Sequence, residues 1–188
     1  GFSIALQAPG EIISLLLEKG ADPLLRSGDS PLLPKEVASL PLSNRSALSY
    51  AAEMENVETF QKLFKSLDLK KLTNQQKARA LTGAAKHLDC LKIVLSAGFD
   101  VNLANEKKQT ALHIAANRDK PEAVRLLLEN GADVRVRDYA GFTPLHNAAE
   151  HGETENVKLL LEKDASLIEA RTDSGATPLM CTGNSDNN

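Results

Sequence analysis

The apolar residues of this chain come in short clusters that return at a fixed distance. Between residues 138 and 161, Thr143-Pro144-Leu145-His146 leads to Ala148-Ala149 and then to Leu159-Leu160. The same succession stands upstream as Thr110-Ala111-Leu112-His113, Ala115-Ala116 and Leu126-Leu127, each 143 − 110 = 33 residues earlier. Thr143 is suited to cap a helix by accepting from an orphan backbone N–H. Pro144 at the first helical position gives up only a donor that has no intrahelical partner. Leu145, Ala148 and Ala149 then form a stripe that is small in the middle, so a neighbouring helix can approach closely. Gly152 ends this helix, and Val157, Leu160 and Leu161 mark the apolar face of a second. In the preceding copy the second helix is predicted from Pro121 to Asn130, with Gly131 as its left-handed cap. Residues 132–142 join the copies through a turn at Gly141. Such a unit is too small to bury its own apolar face, and stacking on its neighbours is what stabilises it.

The register extends along the chain with interruptions. Gly20-Ala21-Asp22 aligns with Gly131-Ala132-Asp133, an offset of 131 − 20 = 111 that sets Ile13 on Val124 and Leu15-Leu16-Leu17 on Leu126-Leu127-Leu128. The front of that copy would fall before residue 1, so the expectation is a piece of a longer protein. The step from Gly20 to Ser46 is 26 residues against 12 from Gly131 to Thr143, an excess of 26 − 12 = 14. A Pro-rich insertion therefore occupies 23–45, with Pro23, Pro31, Pro34 and Pro41; it reads as a semi-rigid surface loop with a short turn near 35–39. Ser46-Ala47-Leu48 restores the front of a copy, and Phe60, Leu63 and Phe64 supply its second helix. A degenerate or helical connection is expected at 68–73. The next copy, 75–102, has a poor front, with Lys77-Ala78-Arg79-Ala80 in the threonine register, and a good back in Leu91, Val94 and Leu95. A last front begins at Thr177-Pro178-Leu179, a step of 177 − 143 = 34. The tail 181–188 is expected to be flexible.

The Thr-Pro-Leu-His-x-Ala pattern at this period resembles the ankyrin repeat. The resemblance implies an all-α solenoid of helix-turn-helix units joined by β-hairpin-like loops. A single array would then span 1–180, with about four full copies and partial ones at both ends. It implies a structural role for His113 and His146, tying the threonine side of the loop to the helix start. It also implies partner binding through hairpin tips and the concave face of the first helices. The positions concerned are Glu106, Lys107, Gln109, Asn117, Arg118, Arg135, Arg137, Tyr139, Phe142, Glu150, His151 and Asp173. Tyr139 and Phe142 stand out because aromatic residues dominate interface hot spots; the other reading of Phe142 is that it packs on the next hairpin. Arg118, Arg135 and Arg137 suggest a small basic ridge facing an acidic peptide. Asp100-Val101-Asn102 resembles the hairpin asparagine that asparaginyl hydroxylases modify, which makes Asn102 a modification candidate.

Composition narrows the function further. The chain has 188 residues, 42% of them hydrophobic and 4% aromatic, with a formal net charge of −3 and a mean hydropathy of −0.25. The best candidate for an apolar span, Ile12 to Leu17, is closed by Glu11 and Glu18, so no membrane insertion is expected. Acids and bases are interspersed, leaving no basic stripe for nucleic acid. Two distant cysteines, Cys90 and Cys181, fit a reducing compartment, cytoplasmic or nuclear. His87, Asp89 and Cys90 are close enough to suggest a nucleophile. They fall at the start of an outer helix without oxyanion donors, which favours a small half-buried cysteine over catalysis. One histidine per copy does not build a tetrahedral metal site, and no phosphate-cradling glycine loop occurs. Asp100 and Asp133 recur one per copy and read as local turn residues. The expectation is a monomeric protein-interaction module that needs no cofactor and is not an enzyme. The alternative is the substrate-recruiting part of a larger enzyme, or of a bacterial effector acting inside a host cell. A plain structural spacer is the third reading.

Overall fold

The computed structural model describes Leu48, Ala52 and residues 56–182. The first partial copy, the insertion at 23–45 and residues 183–188 lie outside the described residues. The chain divides into two compact units, residues 1–72 and 73–188. In the first, helix α1 (Val57–Lys65) is capped by Asn56, whose side-chain oxygen accepts from the Thr59 N–H at 3.0 Å. Phe60 and Phe64, one turn apart, stack with ring centroids 6.1 Å apart, and both are buried with Leu63. The connection at 68–73 is a turn at 69–71 leading to the extended Thr73, with no helix.

The second unit is a succession of helix pairs: α2 (Asn74–Ala84) with α3 (Leu88–Leu95), α4 (Ala111–Ala116) with α5 (Pro121–Glu129), and α6 (Pro144–Glu150) with α7 (Thr154–Lys163). A 3-10 turn at Ala165–Glu169 and helix α8 (Pro178–Cys181) follow. First helices pack side by side in one layer and second helices in another, and no strand occurs among the described residues. Ala111, Ala115, Ala116 and Ala148 are fully buried between the first helices, where larger side chains would force them apart. Leu112, Leu127, Leu145 and Leu160 close the space between the layers. Each such leucine contributes about 1.5–3 kcal/mol of transfer free energy. Gly131, at φ +83°, lets the chain leave α5 towards the next loop.

Two local features depart from the plain repeat pattern, the second against expectation. Helix α2 starts a turn ahead of the register position at Lys77, because Thr73 and Gln76 form a reciprocal cap: the Gln76 N–H donates to the Thr73 hydroxyl at 3.2 Å and the Thr73 N–H to the Gln76 side chain at 3.0 Å. Lys77 is thereby a helical residue, its ammonium 5.7 Å from the Phe99 ring centre. In α7 the buried face is Asn156, Leu159 and Leu160, while Val157 and Leu161 are only half-buried. Asn156 is buried with its amide donating to the carbonyl of Ala116 at 3.1 Å, left open at the end of α4, and to that of Arg118 at 2.6 Å, which also accepts the Lys120 N–H at 2.7 Å.

Candidate interaction surface at the hairpin tips

Three successive turns, at 105–110, 138–143 and 172–177, are built alike. Each opens on a side chain that accepts backbone N–H groups of its own turn. Asn105 takes those of Lys107 at 2.9 Å and Gln109 at 3.0 Å, and Asp138 those of Ala140 at 2.9 Å and Phe142 at 3.0 Å. Thr172 takes that of Ala176 at 3.1 Å. Each closes with a backbone bond of 2.9 Å, from Asn105 to Gln109, Asp138 to Phe142 and Thr172 to Ala176. The turns are also joined to one another. The Tyr139 N–H donates to the Lys107 carbonyl at 3.2 Å, and the Asp173 N–H to the Ala140 carbonyl at 3.0 Å.

A second set of rungs lies deeper. The Thr110 N–H donates to Nδ1 of the fully buried His113 at 3.2 Å, and Nε2 stands 3.1 Å from the Phe142 carbonyl of the next turn. A carbonyl only accepts, so Nε2 carries the proton and the ring is neutral. His146 repeats this with Thr143 at 3.2 Å and the Ala176 carbonyl at 3.2 Å. Burial pushes both imidazoles below their ordinary pKa. The histidines thus tie threonine to helix start and one unit to the next.

A family model described as ankyrin repeats (three copies) matches residues 48–138 and 78–169. The chain belongs to the ankyrin repeat family. A search of curated proteins finds no match. Ankyrin repeats are in general protein–protein interaction modules and typically non-catalytic.

On this ankyrin frame the candidate residues separate by what they touch. Arg135 reaches Asp164 and Ser166 of the following unit, and this pairing pulls the Asp164 carboxyl down to about 2. Arg137 reaches the Gly141 carbonyl at 3.2 Å and Asp173 at 2.8 Å. The expected basic ridge of Arg118, Arg135 and Arg137 is therefore largely neutralised within the chain. Glu106 pairs with Arg79, and Gln109 leans on Asp138 at 3.4 Å. Phe142 is half-buried against the His146 ring, with centroids 5.4 Å apart, so it serves packing. Asn117 caps α4. The Arg118 side chain is exposed, Glu150 is half-buried, and His151 bonds back to the Asn147 carbonyl at 3.0 Å. Tyr139 is 64% exposed, with the Lys108 ammonium 5.0 Å over its ring.

Sequence reasoning passed over Lys108. It occupies the turn position filled by Gly141 (φ +78°) and Gly175 (φ +84°) in the following turns, yet it adopts φ +58° itself. The signal was visible: one lysine in a column of glycines.

Elsewhere, the Asn102 side chain is engaged between units, accepting from the Asp133 N–H at 2.8 Å and donating to the Gly131 carbonyl at 3.3 Å. Asp100 and Asp133 accept from the N–H two residues on, at 2.9 Å and 2.8 Å. Cys90 is wholly buried where a half-buried residue was expected, and burial pushes its thiol up to about 11. Beyond the tips, an apolar groove of about 320 Å³ runs between Leu145, Ala148, Val157, Leu161, Ile168 and Leu179 at the end of the described stack. Among the described residues no three His, Cys, Asp or Glu side chains come together to hold a metal, and no helix is long and apolar enough to cross a membrane.

Proposed function

We propose that this ankyrin stack is a docking module that presents its hairpin tips to another protein, with Tyr139 as the anchor. The observation that carries the reading is an exposed tyrosine on a turn bonded to its predecessor and its successor. A rigid aromatic at a fixed position loses little conformational entropy on binding, which is why such residues dominate interfaces. Glu106, Lys107, Arg118 and His151 lie on the same succession of tips and first helices and would form the rim. A standard interface of roughly 800 Å² per partner fits several adjacent tips. The two unpaired, buried thiols support an intracellular setting, and we take the module to act as a monomer. Affinity capture from lysate with the whole chain and with Tyr139→Ala, read by mass spectrometry, tests the reading. Partners lost only with the variant support it; partners retained equally overturn it.

A further inference from the structure

We infer that the tip patch of Lys107, Lys108 and Tyr139 selects an acidic segment of its protein partner; the inference rests on docking through the tips. Charge accounting locates the patch. Arg135 and Arg137 are held by Asp164 and Asp173, and Glu106 is held by Arg79. Asp138 is turned into its own turn, accepting two backbone N–H groups and the Gln109 amide. Among the described residues neither Lys107 nor Lys108 has a carboxylate partner. In a chain of net charge −3, these two uncompensated cations lie next to the most exposed tip aromatic, with the Tyr139 N–H bonded to the Lys107 carbonyl.

Backbone geometry points the same way. Position 108 needs the left-handed conformation that glycine adopts freely at 141 and 175, and a lysine there at φ +58° is strained. A strained residue replacing glycine, where glycine would fold better, is a mark of function elsewhere than in folding. What the lysine adds is its ammonium, 5.0 Å over the Tyr139 ring. A segment with closely spaced carboxylates and a neighbouring apolar side chain meets both cations and the ring at once.

The test uses the full chain and a fluorescein-labelled peptide of alternating glutamate and leucine, with its glutamine–leucine counterpart as control, in fluorescence anisotropy. The glutamate peptide is expected to bind, with affinity falling as salt is raised, because the charges are exposed. Lys107→Ala/Lys108→Gly should weaken it by more than about threefold and up to about twenty-five-fold, roughly fivefold being the upper end for each exposed pair. Arg135→Ala/Arg137→Ala should change it less than about threefold. The Lys108→Gly change relieves backbone strain, so an unfolded variant does not explain a loss; helical circular dichroism checks this. Equal binding of the glutamine peptide, undiminished binding by the lysine variant, or stronger binding of a single-stranded oligonucleotide or of phosphatidylserine vesicles overturns the inference. If the glutamate peptide fails while Tyr139→Ala still loses partners from lysate, the acidic class is wrong and tip docking stands.

Discussion

Gly141→Ala should be the costliest single-methyl change at the tips. The residue lies at φ +78°, where an alanine is strained by about 1 kcal/mol. A Cβ built there would also come within 2.6 Å of the Asp173 backbone nitrogen and of its carboxylate oxygen. The backbone nitrogen cannot swing away without breaking its 3.0 Å bond to the Ala140 carbonyl, a loss of about 1 kcal/mol. Displacing the Arg137–Asp173 contact adds little because it is exposed. The sum is about 2–3 kcal/mol. Gly175 is the internal control, with the same turn position, φ +84° and no atom within 4 Å of its Cβ site; Gly175→Ala should cost only about 1 kcal/mol. Urea unfolding followed by circular dichroism, with unchanged slopes, reads both. Equal midpoints for the two variants would refute the account of the tips as a bonded ladder.

Because burial lowers the folded pKa of His113 and His146 from 6.5, their contribution is complete above the unfolded value and is lost as pH falls through the folded one. The urea midpoint should therefore drop on acidification below about 6.5, and His113→Gln/His146→Gln should flatten that dependence. Asn156→Ala takes the side-chain donor from the Ala116 carbonyl and one of two donors from the Arg118 carbonyl and should cost about 1–3 kcal/mol by the same assay. Lys108→Gly should leave the fold as stable or up to about 1 kcal/mol more stable. Cys90 should resist iodoacetamide at neutral pH until the chain unfolds, since its thiol is buried and titrates near 11.

The repeat was legible because two constraints recur at one spacing: a threonine cap with its histidine, and paired leucines between the layers. Both are local in sequence and therefore survive as a pattern. The start of α2 does not follow the repeat spacing because its cap, Thr73 with Gln76, is a local capping pair that sits ahead of the threonine register. Asn156 was invisible for another reason. Its acceptors are some 40 residues away, at the end of α4, and only the stack brings them together. The same holds for Arg135 and Arg137, whose carboxylates lie 29 and 36 residues downstream. Read as sequence, two arginines flanking a valine look like a basic ridge, whereas in the fold they are struts between units. Lys108 was the opposite case: its strain was readable by setting 108 beside 141 and 175.

Docking through the tips can be read by where a partner comes within bond-forming reach. A photo-crosslinking residue, p-benzoylphenylalanine, placed at Tyr139 in one preparation and at the exposed Glu162 of α7 in another, tests it most directly when the proteins are irradiated in lysate. Discrete crosslinked partners are expected from position 139 and none from 162. Crosslinks only from 162, or identical sets from both, would contradict docking through the tips.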